Sequence, residues 1–204
     1  MSLVFERRTR FEMPRDFNLD RTPPNAMLRS EYACDDQWIE AFLTEAREGR
    51  VGTRWDDQPF ITPILFWYDP TRGEIYFHTN LVGRLKANSQ RHVRACFETS
   101  RMGKLLPSNV ALEFSVQYKS VIAFGDIRIL EDAGEQRRAL YGLLEKYFSE
   151  MKSGVEYRPI SDQELKRTSV YAIAIDSWSG KRNWPEHADQ SPDWPALNET
   201  WLAG

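Results

Sequence analysis

Four residues carry the first chemical signal. Gly83, Arg84, Leu85 and Lys86 follow an alternating run of strand formers, Glu74 to Asn80, that closes on His78-Thr79-Asn80. A glycine where a strand gives way to a helix permits a tight turn, and the first amides of that helix point free donors outward. An arginine there can clamp two oxygens of a phosphate at once, and a lysine adds a point charge. Arg84 and Lys86 stand two apart, so on a helix they aim in different directions. The plain alternative is a solvated cationic helix start, which the helix dipole mildly disfavours. His78 is the nearby side chain suited to moving a proton near neutral pH.

The remaining motifs are mostly absences. The chain has no Gly-x-Gly-x-x-Gly, no phosphate-loop glycine-lysine motif and no Gly-x-Ser-x-Gly elbow. Its three histidines, at 78, 92 and 187, are too scattered to suggest a metal site by spacing. Chemistry by side chains alone therefore has little support, and a borrowed cofactor would explain that. With 41% hydrophobic and 28% charged residues, the 204-residue chain reads as one soluble globular domain with arms. The net charge of −3 argues against a nucleic-acid partner, and Arg7, Arg8 and Arg10 read as a solvated basic patch. No apolar run approaches a membrane span and no signal core opens the chain, so a cytoplasmic protein without a membrane partner is expected. Cys34 and Cys96 lack redox or metal spacing and read as free thiols.

Residues 1–33 read as a proline-punctuated arm, 34–184 as the folded domain, and 185–204 as a second arm, with Trp184, Trp194 and Trp201 as anchors of that tail. A helix in 35–49 starts at Asp35 or Asp36 and turns Trp38, Ile39, Phe42, Leu43 and Ala46 to one face. Strands are expected in 50–55, 59–69, 73–80 and 93–100, with a short helix in 82–92 and a loop over 101–111. Residues 112–132 form either two paired strands or one strand bent near Lys119–Ser120 and Gly125. A second helix in 135–152 carries Leu140, Leu143, Leu144, Tyr147, Phe148 and Met151 at helical spacing; Ser161 and Glu164 form a capping box; 169–178 is the last strand. Adjacent strands without strict helix alternation give a mainly β, α+β fold: an antiparallel barrel of about six strands with helices outside.

The stretches 58–88, 118–132 and 174–181 together resemble the pyridoxamine phosphate oxidase-like split-barrel flavoproteins. Within that superfamily they are more similar to the branch of nitroimidazole-resistance proteins and uncharacterised flavoproteins than to the oxidase. The resemblance implies a six-stranded split β-barrel, a homodimer, and a flavin mononucleotide (FMN) in each of two clefts between subunits. It places Arg84 at the flavin phosphate, with Lys86 displaced by one from the family's second cation because Leu85 intervenes. Thr79 falls near the phosphate and ribityl chain, and His78 beside the flavin, as the candidate catalytic group. Ile61 to Phe66, with Thr62, Pro63 and Ile64 at its centre, align with the strand along the ring. Ile61 and Phe66 themselves stand where the oxidase has arginine and lysine. Ser120 and Val121 match a segment presented from the opposite subunit; Trp178 matches a tryptophan near the ring, and Lys181 follows it within reach of ring carbonyls or substrate. Phe60, Phe66, Trp67 and Trp178 could wall an aromatic slot. The oxidase's basic C-terminal motif is replaced by residues 180–189.

The expectation is thus an FMN-binding oxidoreductase whose flavin accepts hydride at N5 and passes electrons to a small organic substrate. The alternatives are a non-catalytic flavin, haem or deazaflavin binding module, with His78 as an iron ligand in the haem case, and a structural dimer whose cations are surface charge.

Overall fold

The computed structural model describes residues 22–27 and 29–202. The basic patch at Arg7, Arg8 and Arg10, and most of the expected N-terminal arm, lie outside the described residues.

The strands are β1 (Ala33–Cys34), β2 (Gly49–Trp55), β3 (Gln58–Ile64), β4 (Trp67–Asp69), β5 (Glu74–Asn80), β6 (Arg94–Leu106), β7 (Ser115–Ile129) and β8 (Thr168–Asn183). The α-helices are α1 (Asp36–Glu45), α2 (Arg84–Arg91), α3 (Ala133–Phe148), α4 (Asp162–Leu165) and α5 (Glu199–Leu202). The strands form one antiparallel sheet ordered β3-β2-β6-β7-β8-β5-β4, with β1 added beside β8. Eight strands replace the six expected. β3 and β4 lie at opposite ends of the order and are not paired, which is the open seam of a split barrel.

Local signals fix the helix starts. The Asp35 carboxylate accepts from the Trp38 amide (2.8 Å), and Ile39, Phe42 and Leu43 bury the face the spacing marks. Asp132 accepts from the Glu135 amide (2.7 Å) to open α3, and Ser161 and Glu164 form the expected capping box. The far end of α3 departs from expectation. The helix stops at Phe148, which is exposed, and Met151 falls beyond it.

Strand limits depend on pairing and differ more. The run 59–69 breaks at Leu65–Phe66, because the Tyr147 hydroxyl of α3 accepts from the Phe66 amide (3.0 Å) and so takes it out of the ladder. The expected loop over 101–111 is strand as far as Leu106, since its residues pair with the start of β7. Residues 115–129 form one strand, not two, with its register irregularity against β8 between Phe124 and Gly125. Gly125 is required there: a Cβ would stand 2.0 Å from the Ala174 carbonyl oxygen, a backbone atom with no room to retreat. The C-terminal tail is fastened by hydrogen bonds and, of the three tryptophans expected, by Trp184, which packs against Gly103 with the Lys119 ammonium 5.2 Å from its ring centroid. Ser108 donates to the Asp189 carbonyl (2.6 Å), Asn109 exchanges bonds with Ser191, and Trp194 and Trp201 stay exposed.

Two apolar clusters lie on the two faces of β5 and β8. Ile75, Phe77, Tyr171 and Ile173 join the barrel core with Val51, Phe97, Val121 and α1; Tyr76, Val170 and Ala172 pack beneath α3 with Ala139. Lys146 of α3 closes the junction between α3 and α1. Its ammonium sits 3.6 Å from the Phe66 ring centroid and donates to the Leu43 carbonyl (3.1 Å), with no carboxylate partner among the described residues. Burial lowers its pKa from 10.5 to about 8. The unfolded chain therefore binds more protons than the folded one between those values, and stability contributed by this group rises with pH across that window. We expect the urea midpoint of the wild type to gain on that of Lys146→Met as pH goes from 8 to 10. A constant difference between the two would contradict the account.

Candidate functional site

The cation pair sits where the sequence suggests, at the start of α2. Gly83 precedes the helix in extended backbone (φ 162°, ψ 167°), a conformation any residue adopts, and the space around it is open. The tight turn expected of this glycine is therefore not what the structure asks of it. No side chain caps the helix, and the first inward amide is that of Ala87, bonded to the Gly83 carbonyl (3.2 Å). Leu85 is buried in the barrel core and the Asn88 amide donates to Thr53 Oγ1 (3.0 Å), so the helix is pinned to β2 between its cations.

Arg84 lies across two aromatic faces, 5.0 Å from the Trp55 ring centroid and 5.4 Å from that of Phe60, both on the β2–β3 hairpin. At the other end of the helix Arg91 also stacks on Trp55 (4.6 Å) but is paired to Asp56 (2.7 Å). Among the described residues, Arg84 and Lys86 have no carboxylate partner. Arg84 is thus oriented by rings and left uncompensated in charge.

The pleat decides where the other expected residues face. Thr62 pairs with Val51 and Ile64 with Gly49, so both share the core side with Phe60, while Pro63 and Ile61 point outward. Thr79 shares the core side of β5 with Phe77, its hydroxyl 3.3 Å from that of Tyr171. His78 pairs with Val170 and lies on the opposite face with Tyr76, the face that α3 covers farther along. Ser120 and Lys181 are cross-strand partners on the outer face of β7 and β8. Val121 and Trp178 face inward: Val121 is fully buried, and the Trp178 indole packs on the core and donates to Asp36 (2.7 Å). The aromatic slot also changes. Phe66 is fully buried edge-on to Phe97, and Trp67 stacks on Tyr76; Phe60 remains beside the cation, joined by Trp55.

One hollow of about 460 Å³ lies at the end of β5, lined by His78, Thr79, Asn80, Leu81, Arg167 and Thr168. His78 keeps solvent access and has no hydrogen-bond partner among the described residues, and surrounding protein lowers its pKa below the ordinary 6.5. Arg167 was not legible as a site residue, because only the β5–β8 register brings the start of β8 opposite Asn80. Trp55 carried a weak signal: it stands across the hairpin turn from Phe60, at a strand position of the same parity as Val51.

A family model described as pyridoxamine 5′-phosphate oxidase matches residues 35–182. The chain belongs to the pyridoxamine 5′-phosphate oxidase family. Solved structures share the fold. The chain is 24% identical to a candidate 5-nitroimidazole antibiotic resistance protein from Bacteroides thetaiotaomicron, over 73% of this chain and 85% of that one (TM-score 0.62). It is 21% identical to the flavocytochrome Anf3 from Azotobacter vinelandii, over 80% and 74% (TM-score 0.68). It is 20% identical to an FAD and haem binding protein from Mycobacterium smegmatis, over 83% and 77% (TM-score 0.65). At these identities the likeness establishes the fold. No curated protein matches at a significant level. Among the described residues, no helix is long and apolar enough to cross a membrane.

Within this family member the expected site residues fall into sets with different outlooks: Arg84, Thr62, Ile64 and Thr79 on the core side, Pro63, Ser120 and Lys181 on the outer face, His78 beneath the α3 side. One checkable consequence concerns His78. Its imidazole should titrate below 6.5 in a pH series of side-chain NMR spectra of the ligand-free protein, since burial is the cause of the shift and no cation or carboxylate adds to it. A value at or above 6.5 would mean that the histidine is fully hydrated.

Proposed function

We propose that the protein is a cytoplasmic homodimer that binds FMN in two clefts between its subunits and acts as an oxidoreductase on a small organic substrate. The observation that carries this reading is Arg84: an unneutralised guanidinium, stacked on Trp55 and Phe60, at the free N-terminus of α2. The donor set suits a phosphate monoester. It offers a planar fork for two oxygens, unbonded helix amides beside it, and Lys86 and the Thr79 hydroxyl in the neighbouring segments. The flavin-binding or haem-binding names of the similar structures support a flavin cofactor in general; the mononucleotide is our own choice.

The outer sheet face supports a second copy. Register lines Ile61, Gly52, Cys96 and Phe124 in one row across β3, β2, β6 and β7, and Pro63, Arg50, Glu98 and Ile122 in the next. Ile61 is 75% exposed and Ile122 38%, with Met102 at 71% on the same face of β6. A sheet face of this composition gains by being covered. Covering it with a second copy would bring that copy's Ser120 and Lys181 toward the groove that begins at Pro63. The two unpaired thiols, Cys34 and Cys96, support a reducing compartment.

Bound FMN would supply hydride and electron transfer. The chain's own residues hold its phosphate at Arg84, shield the groove with the β2–β3 aromatics and place His78 as the group that moves a proton to or from substrate. A haem-binding reading is favoured by one observation, the unpartnered imidazole of His78, whose neutral form is the metal-binding one. The experiment is reconstitution of the purified protein with FMN and, separately, with haem. We expect saturable flavin uptake with the broad flavin absorbance bands, a raised melting temperature, and a dimer by sedimentation. A Soret band with no flavin uptake would replace FMN by haem, and indifference to both would defeat the cofactor reading.

A further inference from the structure

The hollow at the end of β5 is not explained by the phosphate anchor. His78, Asn80 and Thr168 belong to the sheet face opposite Thr79, since Asn80 pairs with Thr168 and His78 with Val170, and Thr79 reaches the same hollow only at the strand's end. Arg84 stands on the hairpin side, over Trp55 and Phe60. We propose that this hollow is a second anion site, which takes a small organic molecule by a phosphate or carboxylate group.

Four observations converge on that chemistry. Arg167 has no carboxylate partner among the described residues. The acids of the adjacent α4 are engaged elsewhere, Asp162 by Arg137 and Glu164 by Arg158, so neither neutralises it. The His78 imidazole lines the same space without a hydrogen-bond partner and can donate one N–H to an oxyanion. Asn80 spends its carbonyl oxygen on the Leu81 amide (2.7 Å), which leaves its amide hydrogens as donors. Donors from β5 and from the α4–β8 turn thus face a hollow with no acid of its own lining it. An acceptor-rich group fits that set, and a cation does not. The hollow is open to solvent, and its volume, about 460 Å³, leaves room for a small molecule. Leu81, 37% exposed, gives an apolar wall for the body of the molecule.

The forked guanidinium of Arg167 is the principal contact, with His78 as the second. The flavin reading shares His78 and Thr79 with this hollow but has no part for Arg167, so Arg167 and Arg84 variants tell the two sites apart. The test follows the His78 ring signals by NMR at fixed pH while inorganic phosphate, and in a parallel series acetate, is added to the purified protein. Wild type and Arg84→Ala should both show a saturable movement of the His78 signals. Arg167→Gln should weaken it by at least about tenfold, the worth of one charge-assisted contact, and Arg167→Lys by less. The stronger of the two anions names the group recognised. The proposal is overturned if neither anion moves the His78 signals, if Arg167→Gln leaves the affinity unchanged while folded by its amide spectrum, or if Arg84→Ala abolishes the effect.

Discussion

A guanidinium laid across two aromatic rings, with no acid to neutralise it, is the feature on which the rest of the site depends. A positive charge at a helix N-terminus costs a few tenths of a kcal/mol to about 1 kcal/mol. Stacking of an exposed guanidinium on aromatic faces returns about 0.5–1 kcal/mol. The two terms roughly cancel, so Arg84 is oriented by Trp55 and Phe60 without being stabilised by them. The contrast is Arg91 on the same helix, which shares the Trp55 ring but has Asp56 as its own counter-charge. One end of α2 is complete within the chain. The other carries a charge that no described acid compensates.

Everything around that end follows from one long sheet. β6, β7 and β8 run 13, 15 and 16 residues and pair along most of their length, which lets a single pleat assign faces across the molecule. The inner face builds the core from Val51, Phe97, Val121 and Tyr171, while the outer face of the β3 side keeps Ile61 and Ile122 in contact with solvent. The same alternation turns adjacent residues, His78 and Thr79, to opposite sides of β5. A residue pair that looks like one motif in the sequence thus serves two surfaces.

What could be read in advance was local. Asp35 and Ser161 act within three residues of themselves, and their helices start near where those residues imply. The alternating segment 74–80 and its passage into a helix at Arg84 were also legible, as was family membership through several weak motifs taken together. What failed was set by partners distant in sequence. Phe66 reads as a cofactor wall until Tyr147, 81 residues away, draws its amide out of the ladder. Residues 101–106 read as loop until β7 lies beside them. Arg167 enters the picture only through the β5–β8 register.

The central claim is that Arg84 grips the phosphate of the flavin, and a thermodynamic cycle measures it directly. FMN and riboflavin differ only in that phosphate, so their affinities should be compared in wild type and in Arg84→Ala. The account predicts that wild type prefers FMN, and that the variant loses about 10- to 100-fold of that preference while its riboflavin affinity barely moves. A preference for FMN of the same size in both proteins would contradict it.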